Sequence, residues 1–346
     1  MTRNDKTTNQ GRRPWAALLL LGAALLLPAH RAWAQATRTN PAKPSQASQP
    51  SREGEPPREK APASRPFPRI EVRREIEKMA LLVRRALFGE KGEPFPLEGY
   101  RASLVIQLHT KKGVYDVEAR QEFLAPDCIR TEVKEKGLHI LRGFDGRHYW
   151  QVSPGGSVKD LRQREYKQDR ATVRKEIRLA RQVLRLFRVD RLLLELKDPA
   201  PPWTETIRVP WKGKLTPRVC LAVEGEISYF PFYRKQDYRG PARIRIWVDR
   251  ETGEPRKVLV WPTFAHSEAA VYIHGETLVL SDFRPVAGGR LRIPTNFRLK
   301  VVSPATGRPT PVLVVDLKSL EVNPSFPKGH FSPEAAREFA SKGRSR

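Results

Sequence analysis

The chain has 346 residues and carries 64 Lys and Arg against 38 Asp and Glu, a net charge of +26. It holds two cysteines, Cys128 and Cys220. They stand too far apart in the sequence to form a paired-cysteine metal motif. Three things account for such a charge: nucleic acid, an anionic membrane surface, or an arginine-rich compositional bias. The N-terminus argues against nucleic acid, because it marks the chain for export.

Arg12 and Arg13 precede an apolar run from Trp15 to Leu27, and Ala32-Trp33-Ala34 supplies a small-x-small cleavage pattern. Residues 1–34 therefore read as a secretory signal peptide. The run falls short of the roughly 20 residues that span a bilayer as a helix, so an uncleaved inner-membrane anchor is the alternative reading. Residues 1–34 hold five basic residues and one acid, which leaves about +22 on the remainder. Residues 35–68 are rich in Pro, Ser, Ala and Arg, with no large apolar residue before Phe67. Such a stretch buries too little surface to offset its ordering entropy, and it reads as a flexible tether. Residues 69–335 form the folded part, and 336–346 read as a short charged tail.

Ile76, Met79, Ala80, Val83 and Leu87 fall at helical spacing within Arg69 to Leu87, with Gly89 to stop the helix. From Tyr100 the period becomes two. Ala102, Leu104, Ile106 and Leu108 share one face, and Tyr115, Val117, Ala119, Gln121 and Phe123 share a face of the next strand. Each strand thus has one apolar and one wet face. Strands follow over 128–133 and 138–142, and Asp145-Gly146 turns the chain into 148–152. Between 165 and 197, Val173, Ile177, Ala180, Leu184 and Phe187 restore a helical face. Further strands are expected over 218–227, 244–248, 257–261, 271–283, 291–301 and 311–322. The fold class is mainly β with α: a curved antiparallel half-barrel whose apolar face is lidded by helices.

Catalytic chemistry finds no foothold. No His-Glu-x-x-His, Cys-x-x-Cys or Gly-x-Ser-x-Gly occurs. The glycines near Ser153 lack the lysine and helix of a phosphate loop. His139 and His148 flank the Asp145-Gly146 turn, where a hairpin would let them meet. No catalytic residue, metal ligand or cofactor is assigned. The two cysteines stand either as buried free thiols or as a bridge, which export permits. Arg174, Arg178, Arg181 and Arg185 line the basic side of the second helical region, and are the candidate contacts to an anionic membrane surface. The candidate cavity wall is Leu104, Ile106, Val117, Phe123, Ile140, Trp150, Ile244, Ile246, Leu291 and Ile293.

The order of several motifs resembles the lipoprotein carriers of the LolA/LolB type. These are Phe123 to Arg130, Gly143 to Trp150, Val248 to Pro255, Ser281 to Gly289 with Ile293-Pro294, and Val322-Asn323-Pro324 with Phe331. The resemblance spans about residues 70–335. It implies a half-barrel whose cavity takes lipoprotein acyl chains or other lipids in the periplasm, without catalysis. The sequence departs from that family at Ala125, where carriers have an arginine before the proline that helps hold the lid. It also departs in a longer, more basic 155–215 segment. Two readings stand beside the carrier: an envelope-associated interaction or stress-sensing scaffold whose barrel is filled by its own side chains, and an exported hydrolase.

Overall fold

The computed structural model describes residues 69–93, 96–110, 113–135, 138–153, 156–211, 214–228, 230, 238–302 and 309–342. The signal and tether segments read from the sequence lie outside them. Among the described residues no helix is long and apolar enough to cross a membrane.

The first helix, α1 (Arg69–Phe88), buries Ile76, Met79, Ala80, Val83 and Leu87. Gly89 ends it at φ 79°, a left-handed conformation that glycine adopts without steric cost. Six strands follow: β1 (Gly99–Thr110), β2 (Gly113–Leu124), β3 (Cys128–Glu135), β4 (Leu138–Phe144), β5 (Tyr149–Val152) and β6 (Val158–Asp160). Two helices, α2 (Lys167–Leu186) and α3 (Val189–Leu194), then carry the chain across. Four more strands come next: β7 (Trp203–Trp211), β8 (Lys214–Ile227), β9 (Ala242–Asp249) and β10 (Pro255–Pro262). Helix α4 (Glu268–His274) precedes β11 (Glu276–Val286), β12 (Leu291–Val302) and β13 (Pro309–Val322), and α5 (Pro333–Lys342) ends the domain.

All thirteen strands lie in one open, curled sheet of order β6-β5-β4-β3-β2-β1-β13-β12-β11-β10-β9-β8-β7. The chain runs outward along one arm, crosses by α2 and α3, and returns inward from the far edge. The arms meet where β1 pairs antiparallel with β13, Tyr100 opposite Val322. Asn323 clamps this seam: its Oδ1 accepts the Glu98 N–H at 2.8 Å and the Gly99 N–H at 3.2 Å, and its Nδ2 donates to the Pro96 carbonyl at 2.6 Å.

One apolar cluster unites the concave face of both arms with α1, α2 and α3. Helix α1 packs on α3 and reaches β12, while α2 lies over β3, β4 and β5. The curved half-barrel with a helical lid, expected from the sequence, is the architecture observed. Two smaller clusters lie outside that core. One gathers Ile207, Val209, Cys220, Ala222, Trp247, Leu259 and Trp261 near α4. The other joins Leu141, Trp150 and Val152 to Ala336 of α5.

Several elements differ from expectation. Strand β7 was not foreseen. Residues 271–274, read as the start of a long strand, finish α4 instead, because Ser267 caps that helix by accepting the Ala270 N–H at 3.1 Å. The tail expected from residue 336 begins inside α5, where Ala336 is buried. Cys128 and Cys220 are free thiols, so the bridge is not formed.

Candidate functional site

The concave face places eight of the ten cavity candidates in the central core: Leu104, Ile106, Val117, Phe123, Ile244, Ile246, Leu291 and Ile293. Strand pairing brings them into layers, with Ile106 opposite Val117 and Leu104 opposite Ala119. Ile140 is half-buried and packs against the same core. Trp150 does not belong to the cavity wall. It is buried on the outer face beneath α5, and its indole Nε1–H donates to the Phe331 carbonyl at 2.8 Å. The reason is local: Trp150 stands opposite Gly143, where an added Cβ would lie 2.6 Å from the indole. The ring fills the space that glycine leaves.

A polar group interrupts this apolar interior. Arg142 on β4 donates from Nε and Nη2 to Glu176 Oε1 at 2.9 and 2.7 Å. Glu176 stands on α2, three residues after Val173 and next to Ile177, and is 0% exposed. The pair therefore ties the lid helix to the sheet from inside. Burial raises the Glu176 carboxyl above the usual carboxylate range, against the opposing pull of Arg142 and Thr131. Close by, the Tyr100 hydroxyl donates to Gln121 Oε1, and burial beside Glu176 pushes the phenol far above its ordinary value. Gln121 Nε2 donates onward to the Thr131 hydroxyl at 3.4 Å. Sequence reasoning missed Arg142 and Glu176. The available signal was a glutamate on the apolar stripe of a helix, and a glutamine in the apolar phase of β2.

Other ties hold the lid at its rim. Arg73 Nη2 donates to the Leu194 carbonyl at 2.7 Å. Asp190 of α3 is bound by Arg188 at 3.0 Å and by Arg84 of α1 at 3.2 Å. Burial works against the Asp190 charge, but Arg188 and Arg84 hold the carboxyl below the usual range. The β9–β10 hairpin abuts α1: at Gly253 an added Cβ would stand 2.7 Å from the Leu82 carbonyl oxygen.

The four helix arginines do not form a free cationic face. Arg174 donates to the Tyr149 hydroxyl at 3.4 Å and stacks over its ring. Arg181 pairs with Asp127 and donates to the Pro126 carbonyl at 2.9 Å. Arg185 pairs with Glu195 at 2.6 Å, and Arg178 is half-buried. Next to Ala125, Arg181 thus supplies a lid contact from the opposite side. His139 and His148 do not pair: His139 Nε2 meets Glu132 Oε1 at 2.9 Å, and His148 meets Asp145 within the turn.

On the outer face, Glu122 is a structural hub. Arg130, His330, Arg101 and Arg120 converge on it at 2.6, 2.8, 2.9 and 3.1 Å. Burial opposes its charge, yet Arg130, His330 and Arg101 keep the carboxyl below the usual range. The hub anchors the C-terminal segment, so these titratable groups have a structural task. Among the described residues, no group of three or more His, Cys, Asp or Glu is arranged to hold a metal ion.

The class these features define is an open, curled antiparallel sheet whose apolar concave face is covered by a helical lid. The sequence matches no family model and no curated protein. The structure is similar to a putative outer membrane lipoprotein-sorting protein domain from Vibrio parahaemolyticus, with 10% identity over 76% of this chain and 99% of that one and a TM-score of 0.37. It is also similar to a LolA superfamily protein from Nitrosomonas europaea, with 14% identity over 76% and 98% of the two chains and a TM-score of 0.40. A DUF1329 family protein from Desulfovibrio piger shares 11% identity over 76% and 98%, with a TM-score of 0.40.

Proposed function

We propose that this chain is a non-enzymatic, periplasmic binder of acyl chains, carried by lipoproteins or lipids, which enter between the concave sheet and the lid. The observation that carries this reading is the buried Arg142–Glu176 pair inside a largely apolar interface. A core that never opens gains little from a buried ion pair, since apolar residues of similar volume serve as well or better. A lid that does open regains hydration for both charges, which lowers the cost of the open state. Each methylene of an incoming chain then contributes about 0.8 kcal/mol on burial. Several further buried carboxylates support a binder over a hydrolase, because Glu122, Asp190, Asp249 and Glu254 are each occupied by arginine.

A second reading has its own support. The eight central wall residues are already covered by the chain's own helices, as a self-filled interaction scaffold requires. Native mass spectrometry of the purified chain, followed by titration with a fluorescent acyl probe, separates the two. Co-purified lipid, or saturable probe binding displaced by fatty acid, supports the carrier. A lipid-free protein that ignores the probe would refute it and leave the scaffold. Protein sequencing of the secreted form tests the location, with Gln35 expected as the first residue.

A further inference from the structure

The outer face of the returning arm carries an arrangement of cations that the lid does not use. Register sets Trp247, Lys257, Val279 and Arg298 in one row across β9 to β12, and Arg245, Leu259, Thr277 and Lys300 in the next. Lys257, Arg298 and Lys300 therefore share one face, and all three are half-buried. Lys257 Nζ sits 4.2 Å from the centroid of the Trp247 ring.

No described carboxylate lies within ion-pair distance, 4.0 Å, of any of the three. The neighbouring acids are engaged elsewhere. Glu205 Oε2 accepts the indole N–H groups of Trp247 at 2.9 Å and Trp203 at 3.3 Å. Glu224 is taken by Arg245 at 2.7 Å and Arg243 at 2.8 Å. Asp316 reaches Arg298 only through Asn296, whose Oδ1 accepts from Arg298 Nε at 3.0 Å. Burial lowers the Lys257 ammonium below its ordinary value; Glu205 resists this, and Arg245 and Lys300 add to it. Burial and Arg298 do the same to Lys300. Half-burying like charges side by side is unfavourable unless a counter-charge completes them.

We propose that Lys257, Arg298 and Lys300 form a binding site for a phosphate group, beside the Trp247 ring. Two ammonium groups and one guanidinium suit an anion with several oxygens and more than one negative charge, which phosphate offers and a single carboxylate does not. The site lies on the opposite face from the lid, so it stands or falls independently of acyl binding. The phosphate comes either from the free ion or from a lipid headgroup.

The test uses the purified chain in two arms: calorimetric titration with inorganic phosphate at constant ionic strength set by chloride, and co-sedimentation with phosphatidylglycerol or phosphatidylcholine vesicles. Saturable binding in either arm, weakened about tenfold or more in K257Q/K300Q, is expected. The exposed-residue control K318Q is expected to bind like the unaltered chain. R298Q keeps both lysines and is expected to weaken binding several-fold, which preserves the test if the double variant folds poorly. Inorganic phosphate that binds and also displaces the vesicles identifies one site for both sources. Vesicle binding alone identifies the headgroup, and phosphate binding alone the free ion. Equal binding by the unaltered chain and all three site substitutions, or no binding in either arm, overturns the proposal.

Discussion

Arg142→Met removes one half of the buried pair and leaves Glu176 without its arginine inside the lid interface. Breaking such a pair costs about 3–5 kcal/mol when the remaining charge stays buried. Against this stands the apolar attraction of α2. Val173, Ile177, Val183 and Leu186 are 0–6% exposed, and their burial contributes at most about 6–12 kcal/mol. The penalty is thus a large share of what holds α2 down but a small share of what holds the thirteen-stranded sheet, so the lid should loosen before the domain unfolds. Hydrogen exchange should quicken across 167–186, and the affinity for an acyl probe should rise. Arg142→Met with Glu176→Leu tests the converse. Replacing both partners with apolar side chains should stabilise the closed form by about 1–4 kcal/mol and weaken probe binding. The reasoning fails if Arg142→Met melts the whole domain in one transition with no gain in probe binding, or if the double variant binds probe as well as the parent.

Acid should act on the lid and the rim in opposite directions. Glu176 is raised, so its contribution to the closed state is full in acid and is lost as pH climbs through the raised value; Asp190 and Glu122 are depressed, so theirs is present at neutral pH and lost as pH falls below the usual carboxylate range. Glu176→Gln should abolish the high-pH loosening of α2, read by hydrogen exchange, and leave the acid transition in place. Gly253→Ala forces a Cβ at φ 72° towards the Leu82 carbonyl and should cost about 3 kcal/mol in thermal denaturation; an unchanged melting temperature would contradict the α1 contact. Trp150→Phe leaves the Phe331 carbonyl unpaired and should cost about 1–3 kcal/mol, with faster proteolysis at α5 than at α1. Changing Arg174, Arg178, Arg181 and Arg185 to Gln should leave binding to anionic vesicles within about twofold, since surface pairs of this kind contribute little beyond local packing. A larger loss would restore these arginines as a membrane contact.

Much of this architecture is written in periodicity. The helical spacing of Ile76, Met79, Val83 and Leu87 marks α1, and the alternation through Val117, Ala119 and Phe123 marks β2. Both patterns are local consequences of facing one core. Where the outcome depended on a distant partner, the sequence was silent or misleading. Trp150 reads as a wall residue until Gly143 and α5 offer it a berth on the other side. Val271 to His274 contains good strand formers, yet the Ser267 cap and the Gly275 N–H, which donates to the Val271 carbonyl, make it helical. Strand β7 follows a run of prolines and contains Pro210, which hides it from pattern reading; at a sheet edge that proline is tolerated. Glu176 stands on the apolar stripe of its helix, but nothing nearby in sequence reveals the arginine 34 residues earlier that meets it.

The seam between β1 and β13 sets an order on how this protein comes into being. Strand β1 waits for a partner more than 200 residues downstream, and until Pro309–Val322 arrives the two arms have no shared backbone pairing. During synthesis the apolar face of the first arm is therefore presented to its surroundings while the second arm is still being made. Contacts this remote in sequence form slowly, since the loop must close before they give any return. A chain that stops before β13, or a substitution at Asn323 that loosens the clamp, leaves a long unpaired strand edge beside an uncovered greasy surface. The same seam that joins the two arms makes its final strand the step at which assembly succeeds or aggregation begins.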